Sequence, residues 1–249
     1  MIKIILHGCN GKMGKVLQQL IKEDDELEVI AGIDKNIDGP TPFKLYMSPM
    51  DCGHKADVII DFSHHSAVGE LLDYCIKSKT PVVIATTALG DMERALVREA
   101  ATKIPVFHTA NMSLGINTIA KALKEIVPVL EEDYNIEIVE KHHNKKKDSP
   151  SGTALLLADA VNNSCLIKKD YIYGRHSNAD DCKINELGIH AVRGGTIPGE
   201  HTIIFAGPDE VIEITHTALS RDIFARGALK AAKFLFTKDI GLYSMEDIV

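Results

Sequence analysis

Apolar positions in the first part of the chain alternate between two periods. Ile2-Lys3-Ile4-Ile5-Leu6 is a short, nearly continuous apolar run that predicts a buried strand. After a glycine turn, Met13, Val16, Leu17, Leu20 and Ile21 recur at helical spacing. Leu27 to Ile33 predicts the next strand and Asp57 to Asp61 another, followed by a helix carrying Val68, Leu71, Leu72, Cys75 and Ile76. Pro81 to Ala85 and Ile104 to Phe107 complete the set, with a helix between them. Strands that alternate with helices imply parallel pairing, because each crossover needs length to return. Strands apolar along their whole length suit a sheet covered on both faces. The expectation is a doubly wound α/β domain.

The pattern changes near Asn111. Ser113 is a candidate N-cap for a helix with Ile116, Ile119, Ala120, Leu123, Ile126, Val127 and Leu130 on its apolar face. Asn135 to Val139 predicts a strand, and Ser149-Pro150 introduces a helix through Leu155, Leu156, Ala160 and Val161. Ile189 to Val192, His201 to Phe205 and Val211 to His216 predict three more strands, the last two joined by Gly207-Pro208-Asp209 and therefore antiparallel. The reading is a smaller α+β domain over residues 114–220, between a first domain of residues 1–113 and its returning helix in 221–249.

Chemistry enters at the first turn. Gly8-Cys9-Asn10-Gly11-Lys12-Met13-Gly14 lies between a strand and a helix, where glycines let the backbone approach a pyrophosphate and the helix start supplies N–H groups. The spacing is Gly-x-x-Gly-x-x-Gly, a weak signal by itself. Asp34 strengthens it, ending the second strand about 20 positions beyond the last glycine, where an acid accepts hydrogen bonds from the adenosine ribose of NAD. Lys35 follows and is suited to the 2′-phosphate of NADP, so the cofactor stays open between the two. The bland alternative is an exposed loop aspartate. Asp61-Phe62-Ser63 and Ala85-Thr86-Thr87 also end predicted strands, where doubly wound sheets bind ligands.

The most informative stretch runs from Glu140 to Ala154, with His142 and His143, then Lys145, Lys146 and Lys147, then the helix start at Ser151-Gly152-Thr153. Lysines supply positive charge, the helix start offers donors to an anion, and a histidine donates a proton near neutral pH. The combination suits a small carboxylate substrate. Duller alternatives are a solvated lysine face, a metal held by the histidine pair, and RNA binding. Adjacent histidines point apart and lack partners at ligand spacing, and aromatic residues are not interleaved. The segment Arg193 to Thr202 places an arginine before glycines, either approaching the anion site or exposed on a hairpin loop.

Composition narrows the classes. The 249 residues carry a formal net charge of −7, which argues against a general nucleic-acid binder. The 5 cysteines are odd in number and lack Cys-x-x-Cys spacing, so neither a disulfide framework nor a zinc site is expected and a cytoplasmic setting is. Most are expected to act as small apolar fillers. The start lacks a signal peptide's longer apolar stretch, and no apolar run is long enough to span a membrane.

The string Glu-x-His-His-x-x-Lys-x-Asp-x-Pro-Ser-Gly-Thr-Ala over Glu140 to Ala154 resembles the signature of the 4-hydroxy-tetrahydrodipicolinate (dihydrodipicolinate) reductase family. Gly8 to Gly14, Asp61 to Ser63, Ala85 to Thr87, Ala110 to Asn117, Arg193 to Thr202 and His216 to Gly227 follow in family order, so the resemblance covers nearly the whole chain. It implies a Rossmann-type domain, a substrate-binding domain and a homotetramer joined mainly through substrate-domain sheets. It also implies a place in diaminopimelate and lysine biosynthesis. By resemblance, Gly8, Cys9, Asn10, Gly11, Lys12, Met13, Asp34, Ala85, Thr86, Thr87, Thr109, Ala110, Asn111 and Met112 would line an NADH or NADPH site, with Lys35 the NADP contact. His142 would donate the proton with help from Lys146, and His143, Lys146, Gly152 and Thr153 would hold the carboxylates. Lys12 stands where the family usually has arginine, Ala85 where it has glycine, and Ser149 and Thr109 where it has alanine.

The implied reaction is hydride transfer to ring carbon 4 of a cyclic dicarboxylate after loss of its hydroxyl as water, with domain closure over the substrate and no metal. Two alternatives stand beside it. One is another Rossmann amino-acid dehydrogenase, of the aspartate or homoserine type, which should not carry the loop as one unbroken string. The other is a non-catalytic NAD(P)-binding sensor, against which an intact His142 and Lys146 argue.

Overall fold

A computed structural model describes residues 1–176 and 182–249. They divide into two compact units, Met1–Ser113 with Asp222–Ile248, and Leu114–Arg221 with Val249.

The first unit contains strands β1 (Ile2–His7), β2 (Leu27–Ile33), β3 (Lys44–Tyr46), β4 (Val58–Asp61), β5 (Val82–Ile84) and β6 (Pro105–His108), with helices α1 (Lys12–Lys22), α2 (Val68–Ser78) and α3 (Asp91–Ala100). The seven-stranded sheet is parallel throughout, in the order β12-β6-β5-β4-β1-β2-β3, where β12 is Gly241–Tyr243. Both faces are buried, which explains the unbroken apolar strands. Ile4, Leu6, Val58, Ile60 and Val83 pack with Leu17, Leu20 and Ile21 of α1 and with the alanines of helix α6 (Asp222–Leu235). Ile5, Ile33, Ile59, Val82 and Ile84 face Leu71, Leu72 and Cys75 of α2 and Val97 of α3. The chain leaves β1 in one direction through β2 and β3, then resumes on β1's other side at β4. This reversal makes the topological switch point where such sheets bind ligands.

The second unit contains α4 (Leu114–Leu130), β7 (Asn135–His142), α5 (Gly152–Ser164), β8 (Asp170–Tyr173), β9 (Glu186–Arg193), β10 (Glu200–Ala206) and β11 (Val211–Thr217). Its sheet runs β11-β10-β7-β9-β8. The β10–β11 pair is antiparallel, as the tight turn between them predicts, and so is β10–β7, but β9 lies parallel to both β7 and β8. The segment from Arg193 to Glu200 is therefore not a hairpin loop: it crosses over β7 to reach β10. Period-2 alternation on β7 puts Ile136, Ile138, Glu140 and His142 on the buried face, and on β10 it does the same for His201, Ile203 and Phe205. The apolar members of these sets form one core with Leu123, Val127, Leu157 and Val161 of α4 and α5. Glu140 and His142 thus sit at the polar end of a hydrophobic face.

Candidate functional site

Because every strand of the first unit is parallel, the predicted nucleotide segments all emerge at one sheet edge. The Gly8 N–H donates to the Ile33 carbonyl (2.8 Å), tying the glycine turn to the end of β2. Gly8 adopts φ +78°, and a Cβ there would lie 2.5 Å from the Phe62 carbonyl oxygen, so only glycine lets the β1 and β4 loops meet. Gly11 caps α1, whose first turn has neither a side-chain cap nor an acidic residue. Its leading N–H groups and the exposed Lys12 suit an anion.

Asp34 braces this turn. Its Oδ2 accepts the Asn10 N–H (2.9 Å) and its Oδ1 accepts the Asn36 N–H (3.0 Å), while Asn10 Nδ2 donates to the Asn36 carbonyl (2.5 Å). Each carboxylate oxygen keeps a lone pair for a further donor. Lys35 is exposed. Ala85 and Thr86 are buried and Thr87 is exposed. Thr86 Oγ1 donates to Asp61 Oδ2 (2.7 Å), and the Ser63 N–H donates to Asp61 Oδ1 (3.1 Å), so a fully buried carboxylate holds two strand ends in place. His7 Nδ1 lies 2.8 Å from Asp61 Oδ1, close enough for an ion pair but off the direction of a ring N–H bond. Thr109 and Ala110 follow β6, Asn111 Oδ1 accepts the Ser113 N–H (2.8 Å), and Met112 is buried in the core, beneath that edge. Cys9 is likewise buried.

The second unit gathers the catalytic candidates around Glu140, which is 0% exposed. Its Oε2 lies 2.5 Å from His142 Nδ1. Arg193 closes on both carboxylate oxygens, and the Ser151 N–H donates to Oε1 (3.0 Å). Burial alone would push the Glu140 carboxyl up, but these donors outweigh it and hold it below the usual range. An ionised carboxylate accepts only, so His142 Nδ1 carries a proton and Nε2 is the nitrogen left for chemistry. Burial pulls the His142 imidazole below its ordinary value. Glu140 opposes this, while the charges of Lys146 and Arg193 add to it.

The loop beyond β7 is stapled to the glycines after β9. The Gly194 N–H donates to the His142 carbonyl (2.9 Å) and the Asn144 N–H to the Gly195 carbonyl (3.2 Å). Gly199 adopts φ +151°, and a Cβ on it would stand 3.1 Å from His142 Nε2, so the missing side chain keeps that nitrogen clear. Lys146 Nζ pairs with Asp148 Oδ2 (2.8 Å), which holds the ammonium by the start of α5, while His143 is half-buried. Ser151 caps α5 by accepting the Ala154 N–H (3.1 Å), Gly152 is open around its α-carbon, and no acidic residue occupies the first turn. Thr153 follows, half-buried. Ser151 Oγ also lies 2.9 Å from Nε2 of His201, whose ring stands edge-on to His142 with centroids 5.1 Å apart. Burial, reinforced by His142, pulls His201 down to about 4.

The sequence assigns no role to Glu140 or His201, gives Ser151 only a place in the anion-binding helix start, and leaves Arg193 between two interpretations. Glu140 and Ser151 sit inside the quoted string, and period-2 alternation from Ile136 marks Glu140 as inward-facing. Nothing local marks His201.

A dinucleotide-type sheet edge in one unit and a buried acid–imidazole pair beside a cationic helix start in the other define the class. This is a Rossmann-type, pyridine-nucleotide-dependent oxidoreductase. Comparison with known proteins makes the assignment specific. The family model described as dihydrodipicolinate reductase, N-terminus, matches residues 2–112, and that described as dihydrodipicolinate reductase, C-terminus, matches residues 115–249. The chain belongs to the dihydrodipicolinate reductase family. It is 56% identical over 249 residues to the 4-hydroxy-tetrahydrodipicolinate reductase of Caldanaerobacter subterraneus subsp. tengcongensis, covering 100% of this chain and 98% of the relative. The corresponding reductase of Clostridium tetani is 48% identical, over 99% of this chain and 96% of the relative. Among solved structures, dipicolinate-bound dihydrodipicolinate reductase from Paenisporosarcina sp. TG-14 superposes with a TM-score of 0.84 at 22% identity and full coverage of both chains, a likeness of fold.

Proposed function

We propose that this chain reduces 4-hydroxy-tetrahydrodipicolinate to tetrahydrodipicolinate, with loss of the 4-hydroxyl as water, at the cost of one NADH or NADPH and one proton. The step belongs to diaminopimelate and lysine biosynthesis. The observation that carries the reading is the buried Glu140–His142 pair, with Nε2 kept clear by Gly199, beside Lys146 and the start of α5.

The reduced nicotinamide, when bound, supplies the hydride to ring carbon 4. Everything else falls to side chains and amides of this chain. The uncapped start of α1 and Lys12 hold the pyrophosphate. Asp34 takes the ribose hydroxyls with its remaining lone pairs, while Lys35 takes a 2′-phosphate, so both nucleotides are accommodated. Ala85 to Thr87 and Thr109 to Met112 line the same strand edge. His143, Lys146 and the amides of Gly152 and Thr153 hold the ring's carboxylates at a positive helix end. These cations offset the negative charge that grows on the ring nitrogen system as hydride arrives. His142, assisted by Lys146, delivers the balancing proton from Nε2.

In this reading residues 1–113 and 221–249 bind the dinucleotide, and residues 114–220 bind the substrate and assemble the oligomer. α4 and α5 cover one face of the mixed sheet. The other presents Val139, Thr202, Ile204 and the partly exposed β11, a surface fit for joining copies into a homotetramer. A cytoplasmic location agrees with five unpaired cysteines and with the finding that no helix among the described residues is long and apolar enough to cross a membrane. The deciding assay follows oxidation of NADH and NADPH at 340 nm with substrate made fresh from its precursors. No substrate-dependent oxidation of either nucleotide would reject the assignment, and sedimentation velocity tests the tetramer.

A further inference from the structure

We propose that Glu140, gripped by Arg193, is a positioning residue that fixes His142 in one tautomer and one orientation, with Nε2 as the proton-delivering atom. The inference rests on the reaction proposed above. Its basis is convergence: the His142 ring, the Arg193 guanidinium and the Ser151 N–H, from three different segments, meet on one fully buried carboxylate. Burying an ion pair contributes little net stability, because desolvation offsets the attraction. Apolar residues would close this end of the core as well as the charged trio does, so what the trio supplies is direction. The carboxylate admits only a donor at Nδ1. The guanidinium fork stops the carboxylate from rotating, and the Ser151 N–H ties it to the start of α5, where the substrate's carboxylates dock. Gly199 clears the opposite edge of the ring. Carboxylates that orient a metal-bound histidine change affinity or activity by roughly 10- to 100-fold when removed, and the same scale is expected for this orienting pair.

The charged and titratable groups facing His142 are Glu140 on β7, Lys146 in the loop beyond it, Arg193 at the end of β9 and His201 on β10. Of these only Glu140 favours the protonated ring, so losing it makes His142 harder to protonate.

The test compares wild type, Glu140→Gln, Arg193→Lys, His142→Gln and the Glu140→Gln/His142→Gln double variant. Glu140→Gln should lower kcat about 10- to 100-fold, leave KM for the nucleotide within about twofold, and move the falling limb of the kcat–pH profile to lower pH. In the His142→Gln background the same change should cost little, because the two residues act as a unit. Nitrogen-15 spectra of neutral His142 should show the proton on Nδ1 in wild type and both tautomers in Glu140→Gln. Unchanged kcat and pH limb, or a full effect persisting without His142, would overturn the proposal. Should Glu140→Gln not fold, Arg193→Lys keeps the carboxylate and removes the fork: a lowered kcat with a shifted limb supports the proposal, and wild-type behaviour overturns it. Wild-type protein that oxidises no nucleotide with this substrate would reject the reaction instead, and the tautomer spectra would still decide the role of Glu140.

Discussion

Arg193 and Glu140, 53 residues apart, meet fork to fork: Nη1 lies 2.7 Å from Oε2 and Nη2 lies 2.6 Å from Oε1. Parallel pairing of β9 with β7 brings them together, with Arg193 in register with His142. A lysine could neutralise the carboxylate but could not fix its plane. The same guanidinium donates to the Asp148 carbonyl (2.7 Å), so one side chain spans the base of the loop beyond β7.

Replacing His142 with glutamine removes the proposed proton donor and keeps a polar side chain of similar reach. We expect kcat to fall by about 100-fold or more, with dinucleotide affinity, read by fluorescence titration, unchanged. A variant that turns over at the wild-type rate would exclude His142 from proton transfer.

Lys146 is paired with Asp148 and is expected to face the substrate's carboxylates in turnover. Lys146→Ala should both raise KM for the dicarboxylate and lower kcat, each by about tenfold or more, since removing a charge-assisted hydrogen bond costs about 1.5–3 kcal/mol. Steady-state kinetics against the dicarboxylate separate the two effects. Normal kinetics would mean that the ammonium serves only Asp148.

His201 makes a prediction about stability. Burial lowers its folded-state value from 6.5 to about 4, so the unfolded chain binds the proton more tightly than the folded one. The stabilisation is complete above about pH 6.5 and is lost as the pH falls from there toward 4, by up to about 3 kcal/mol. Urea unfolding at pH 7.5 and pH 5 should show the loss in wild type and a flatter dependence in His201→Gln. An equal slope in both proteins would remove His201 from the account.

In the proposed function, nucleotide choice divides between neighbouring side chains. Asp34→Ala should weaken NADH binding and release the Asn10 and Asn36 amides, whereas Lys35→Ala should raise KM for NADPH and leave NADH nearly untouched. Competitive assays with both nucleotides measure the ratio. A Lys35→Ala variant that loses both equally would show that the ammonium does not read the 2′-phosphate.

Much of the architecture was legible from periodicity. Long apolar runs located β1, β2 and β4, and the 3.6-residue spacing located α1, α2, α4 and α5, because both patterns record burial on faces that the local backbone defines. Strands β3, β8 and β12, of three or four residues, escaped it: too short for a period-2 pattern to register, they are stabilised by neighbours distant in sequence. The parallel pairing of β9 with β7 was equally hidden, since the turn-rich segment from Arg193 to Glu200 has the composition of a hairpin but crosses another strand.

The candidate site divides along the same line. The amino-acid sequence by itself determined the fold class, the glycine turn with Asp34 beyond it, and the histidine-, lysine- and serine-bearing string, because each depends on residues close along the chain. Only the tertiary structure decided which groups surround His142. Glu140 turns inward through the alternation of β7, Arg193 arrives by the register of β9, and His201 and Gly199 arrive with β10. Partners of this kind are chosen by strand order and register, which arise from packing of the whole core, so no local pattern of residues encodes them.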